Sequence, residues 1–173
     1  MTGLTIRRLG LPDAAAYRNL RLRGLREHPD AFTSSAEEEE NKPLTWSAAR
    51  LAANVDRPHD FFLGAFQGEV LRGVVGLQGR YRAKEQHNAS VVGLYVAPEL
   101  AGQGAGLALM VALAQQARVF EALAQIDLTV TAGNDRARHI YQRCGFTLFG
   151  VLDRAIKVRD QYHAKVHMVL RLR

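Results

Sequence analysis

Three glycines at alternate positions, Gly102, Gly104 and Gly106, separate a strand-like run that ends at Pro98 from an apolar-periodic segment that begins at Leu107. Glycine lets the main chain come close to a ligand, because no Cβ intervenes. The free N–H groups of a helix's first turn, together with its dipole, favour an anion. Strand, glycine-rich loop and helix start in that order predict a phosphate site built from backbone. Two familiar versions are excluded. A P-loop needs Gly-Lys-Ser/Thr, and Gly106 is followed by Leu107 and Ala108. A dinucleotide site needs G-x-G-x-x-G near a first strand, whereas this G-x-G-x-G follows four predicted strands. The glycines alone also suit a tight connection in which they serve only close packing. The single cysteine, Cys144, has no Cys-His pattern to activate it and reads as buried.

The elements that must position this loop follow from hydrophobic periodicity. Leu4 to Arg8, Phe61 to Gln67, Val70 to Gln78, Ala89 to Ala97, Ile126 to Val130, Phe146 to Leu152 and His163 to Leu170 read as strands. Helices are expected from Pro12 to about Glu27, from Pro43 to Asn54, from Gly104 to Glu121 and from Asn134 to Cys144. Ala31 to Glu40 reads as a loop ending in four acids that suit a helix start. The order predicts an α+β fold: a mixed, mostly antiparallel twisted sheet of six to seven strands, flanked by about four helices, with one central β-α-β unit.

A chain of 173 residues with 47% hydrophobic and 23% charged residues fits one soluble domain with a buried core, residues 1–173. No apolar run approaches a membrane span, and the start MTGLTIRRLG lacks an apolar signal core. With one cysteine, a cytoplasmic location is expected. The net charge of +6 raises nucleic acid as a partner. The basic residues are scattered, however, and suit a field that steers an anionic small molecule. No nucleic acid and no metal are expected.

VGLYVAPELAGQGAGLALM, from Val92, resembles the acetyl-CoA-binding motif of the GCN5-related N-acetyltransferases (GNAT). LTVTAGNDRARHIYQRCGFTLFG, from Leu128, resembles the second motif of that family, in the same order and at the same separation. The resemblance implies an N-acetyltransferase that moves an acetyl group from acetyl-CoA to a primary amine of a small molecule or peptide, by direct attack in a ternary complex. Homodimers are common in such domains. Two central strands would splay, and the main chain of Leu94, Tyr95 and Val96 would pair with the pantetheine arm. Gly102, Gln103, Gly104, Ala105, Gly106 and Leu107 would cradle the pyrophosphate. Ala101 departs from the family's Arg or Gln at that place, and Gln103 is the expected compensation. Asn134 would touch the pantetheine arm and also suits an N-cap. Tyr141 matches the tyrosine placed near the thioester sulfur, where its hydroxyl can donate to the departing thiolate.

The acceptor amine must be neutral to attack, and the sequence offers no clear base. His87, at the start of a strand, is the expected residue acting through water. Phe32 and Glu38, in the segment between the first two helices, are the expected acceptor contacts. An acyl-CoA-binding module without turnover is the alternative from a different class.

Overall fold

The computed structural model describes residues 3–173. Seven strands form one sheet: β1 (Leu4–Arg8), β2 (Phe61–Gln67), β3 (Val70–Gly79), β4 (Asn88–Val96), β5 (Gln125–Thr131), β6 (Thr147–Val158) and β7 (Gln161–Arg171). Their spatial order is β1-β2-β3-β4-β5-β7-β6, antiparallel except for β4 beside β5. Five α-helices accompany them: α1 (Ala14–Glu27), α2 (Ala36–Glu40), α3 (Leu44–Leu51), α4 (Ala105–Val119) and α5 (Asp135–Arg143). Among the described residues no helix is long and apolar enough to cross a membrane.

The fifth helix is α2, which the acid run builds for itself. Ser35 Oγ accepts from the Glu38 amide at 3.2 Å, and the Glu38 carboxylate accepts from the Ser35 amide at 3.0 Å. This reciprocal capping box satisfies two donors that a helix start leaves open.

The sheet is covered on both faces by two cores. Phe61, Leu63 and Ala65 of β2 join Val75, Leu77, Leu109, Leu113 and Ile126 in one, with α4 packed against it. Phe62 and Phe66, pointing the other way, join Tyr17, Leu20, Leu51 and Tyr95 beneath α1 and α3. The continuous apolar run FFLGAF is thus a strand buried on both sides. Gly24 lies within α1 because a Cβ there would sit 2.8 Å from the Tyr95 ring. The two elements therefore touch closely, and Tyr95 Oη donates to Glu27 at 2.6 Å. That contact fixes the C-terminal end of α1 over β4.

The last hairpin is longer than its sequence pattern. β6 runs to Val158, past a register shift between Leu152 and Ile156 and a left-handed Arg154 at φ 50°. Most of the strand is exposed, so no alternation marks it.

Candidate active site

The parallel contact between β4 and β5 is brief. Only Asn88, Ala89 and Ser90 pair with Gln125, Ile126 and Asp127. At the last rung Ser90 Oγ donates to Asp127 Oδ1 at 2.6 Å, and Arg80 pairs with the same carboxylate. Beyond it the strands part, leaving unpaired main chain on the facing edges of both. On the β3 side, Gly76 pairs with Val92 and Val74 with Tyr95, so Gly93 and Leu94 together oppose Val75. This is a bulge, and Gly93 takes φ 64° to make it. Ala97 N–H donates to Arg72 O on β3 at 2.7 Å. By the two-residue alternation of a strand, Tyr95 turns its main chain toward β3 and Val96 turns its own into the opening. Of the expected Leu94–Val96 backbone contacts, Tyr95's is therefore directed into the sheet, while its ring packs against Gly24 of α1.

The opening continues into a cavity of about 520 Å³ that reaches the start of α4. Gly102, Gly104, Ala105, Gly106 and Leu107 all line it. Ala105, Gly106 and Leu107 are the first three helical residues, whose N–H groups have no intrahelical acceptor. Gly102 and Gly104 hold φ 75°, a conformation that costs other residues about 1–2 kcal/mol. Gly106 serves a different purpose: a Cβ there would lie 3.0 Å from Ile140 Cδ1, so it lets α4 and α5 approach. Gln103 does not compensate for Ala101. Its amide donates to Leu100 O, its side chain donates to Glu99 O at 3.0 Å, and it does not line the cavity.

The opposite wall is the turn from β5 into α5. Asn134 lines the cavity and caps α5, its Oδ1 accepting from the Ala137 amide at 3.2 Å. Arg136, His139 and Arg143 also line it. Tyr141, next in the chain to the lining residue Ile140, does not itself line the cavity; it is buried in the core, with its ring 6.1 Å from that of Phe146. Burial raises its pKa, so the hydroxyl stays protonated. Cys144 is half-buried, and burial raises its thiol pKa as well, which leaves it unsuited to nucleophilic attack.

Residues 22–146 match the family model described as the acetyltransferase (GNAT) family. The chain belongs to that family. No curated protein matches the sequence. Among solved structures, a GNAT-family acetyltransferase from Streptococcus pneumoniae is 21% identical, with TM-score 0.83, over 98% of this chain and 99% of that one. yncA from Salmonella typhimurium, with its cofactor acetyl-CoA, is 18% identical, with TM-score 0.79, over 98% and 94%. A ribosomal-protein-alanine N-acetyltransferase from Brucella melitensis is 18% identical, with TM-score 0.77, over 96% and 99%. These likenesses establish the fold.

At the far end of the acetyltransferase cavity, His28, Asp30, Ala31 and Phe32 from the segment after α1 face Thr131 at the end of β5. Phe32 thus lines the cavity. Glu38 does not: its carboxylate is spent on the capping box. Glu39 is buried against Arg21 at 2.6 Å, and Glu40 pairs with Arg26. His87 precedes β4, at the end where β4 and β5 still pair, with its ring 3.1 Å from Asn88 Nδ2. It does not line the cavity. Sequence reasoning missed His28, Asp30, Thr131 and the Gly93 bulge. Only Gly93, a glycine inside a strand pattern, carried a signal.

Proposed function

We propose that this acetyltransferase moves the acetyl group of acetyl-CoA to a primary amine of a small molecule or peptide, by direct attack with both substrates bound. The parting of β4 and β5 beside a row of unpartnered amides carries the reading. A slender chain bearing amides suits the opening, and a pyrophosphate suits the N–H groups of Gly102 and of Gly104–Leu107, the Gln103 amide being taken by Leu100 O. Val96 offers main-chain groups to the pantetheine arm. Asn134 Oδ1 is already engaged by Ala137, which leaves its Nδ2 to donate. Arg136 and Arg143 face the region of the nucleotide phosphates.

When bound, acetyl-CoA supplies an activated acyl carbon with a thiolate leaving group. The Leu94 N–H, re-aimed by the Gly93 bulge, donates to the oxygen that gains charge as the amine attacks. Tyr141 donates a hydrogen bond toward the sulfur. Its raised pKa exceeds that of an ordinary thiol, near 8.5, so full proton transfer from the phenol is uphill. The proton that ends on sulfur therefore comes from the attacking amine. An α-amine has a pKa near 8 and loses its own proton to water readily enough to need no dedicated base.

Thermal unfolding with and without acetyl-CoA tests the reading. At a hundred times Kd the ligand adds about 2.7 kcal/mol to the native state. A shift with acetyl-CoA that ATP and NAD do not produce, followed by thiol release with an amine panel, is the expected result. No shift at millimolar acetyl-CoA overturns it.

A further inference from the structure

Lys165 is a charged side chain that the scheme above leaves unused. It lies in β7, only 5% exposed. Its Nζ donates to Thr131 Oγ1 at 2.8 Å and to the Ala31 carbonyl at 3.3 Å. The Thr131 hydroxyl in turn donates to the Asp30 carbonyl at 2.6 Å. Thr131 stands opposite Lys165 in the β5–β7 register. Asp30, Ala31 and Thr131 all line the cavity. Two successive carbonyls of the segment after α1 therefore hang from one threonine and one lysine on the sheet.

An ammonium is a costly way to hold one carbonyl and one hydroxyl, because burial disfavours the charged form. A neutral donor would hold them without that cost. What lysine adds is charge, and shielding from water keeps that charge from being screened. The acids that might have offset it are committed elsewhere: Glu38 to its capping box, Glu39 to Arg21 and Glu40 to Arg26. Asp30, exposed on the loop, is among the described residues the one acid whose charge reaches Lys165; it favours the ammonium, against the larger effect of burial, which lowers the Lys165 pKa. His163 and His167 flank Lys165 on the same face of β7, both half-buried.

We propose that Lys165 positions the acceptor end of the cavity and sets its specificity: it pins the Asp30–Ala31 segment to β5, and its charge turns away acceptors that carry a second cation. The favoured acceptor is then a monoamine, or a peptide α-amine with a neutral or anionic neighbour, and not a polyamine. The selection rests on the acetyl-transfer reading; the pin stands without it.

The test compares wild type with Lys165→Met, Lys165→Arg and Thr131→Val, using amide hydrogen exchange and steady-state kinetics on butylamine and 1,4-diaminobutane. Lys165→Met is expected to speed exchange in residues 29–32 at least tenfold while β2 and β3 are unchanged. Wild type is expected to favour butylamine on the order of tenfold in kcat/KM. Lys165→Met brings that ratio toward one, whereas Lys165→Arg and Thr131→Val keep it. Unchanged exchange overturns the pin. A wild type that uses the diamine equally well, or a ratio that Lys165→Met leaves in place, overturns the selection. If Lys165→Met does not fold, exchange in Thr131→Val decides the pin and the wild-type ratio decides the selection. If acetyl-CoA raises the melting temperature but no amine is acetylated, the acetyl-transfer reading and its selection fall together, and exchange alone judges the pin.

Discussion

Gly104→Ala separates a glycine needed for the fold from a glycine needed for the ligand. Gly104 is the N-cap of α4, at φ 75°, and a Cβ built on it meets nothing within 4 Å. No clash accompanies the change, so its whole cost lies in the backbone. Holding alanine in the left-handed region costs about 1–2 kcal/mol. In a chain of this size each kcal/mol lowers Tm by about 2–4 °C, so the ligand-free variant melts roughly 2–8 °C lower. Relaxation toward negative φ relieves that strain but turns the Gly104 and Ala105 amides away from the cavity. A hydrogen bond to a charged group is worth about 1.5–3 kcal/mol, so losing one weakens acetyl-CoA binding at least tenfold. At a concentration that is a hundred times the wild-type Kd, ligand stabilisation then falls from about 2.7 to about 1.4 kcal/mol. Two melting curves per protein, with and without acetyl-CoA, read both effects. A lower baseline with the ligand shift kept means alanine holds the left-handed conformation and leaves the amides in place; an unlowered baseline with an undiminished ligand shift would refute the phosphate cradle.

Tyr141→Phe is expected to lower kcat by about ten- to a hundredfold with the KM for acetyl-CoA held, since it removes a donor that acts on the departing sulfur. Because burial raises the Tyr141 pKa, its phenol contributes no alkaline limb below pH 10; a limb in that range that vanishes in Tyr141→Phe would contradict the assignment. Arg21 and Glu39 are 11% and 4% exposed, and removing either partner leaves a buried charge, at about 3–5 kcal/mol. A double-mutant cycle in urea should show the Arg21→Met, Glu39→Gln pair costing far less than the sum of the singles. Asp13 accepts two bonds from Arg7 and one from the Gly10 amide. Its pKa is lowered, chiefly by the Arg7 hydrogen bonds. The folded state therefore binds the Asp13 proton less readily than the unfolded chain. Its stabilisation is complete above the ordinary carboxylate pKa and fades as pH falls through the lower folded value. Asp13→Asn should lessen the acid-side loss of stability measured below pH 4.

Most of this architecture was legible because its signals are local. FFLGAF, IDLTV and the three- and four-residue spacing from Leu107 announce strands and a helix without reference to anything distant. The glycine loop was legible for the same reason, since three glycines between a strand and a helix start are a local signal. Side-chain roles that depend on a particular partner were not. Glu38 and Gln103, expected at the acceptor and the pyrophosphate, are instead held by local partners: Ser35 three residues away in a capping box, and the Glu99 carbonyl four residues away. His87 is adjacent in sequence to the strand that carries the cavity, but lies at its wrong end. Lys165 reads as one polar residue in an alternating strand; its burial depends on Thr131 and Ala31, 34 and 134 residues away. The far half of β6 is exposed and irregular, so burial never imprinted a period on it.

An open strand edge is ordinarily a hazard at the rim of a sheet, where a neighbouring molecule can add to the ladder. Here two such edges, on β4 beyond Ser90 and on β5 beyond Asp127, face each other inside the sheet. Neighbouring strands sit about 4.7–4.9 Å apart, so a guest that satisfies both edges must be one strand thick, about twice that spacing from wall to wall. Another protein's strand would have to thread past the Arg80–Asp127–Ser90 clasp at one end and the α4 N-terminus at the other. The same gap that invites an unbranched, amide-bearing chain thus screens out the polypeptides that threaten any exposed ladder.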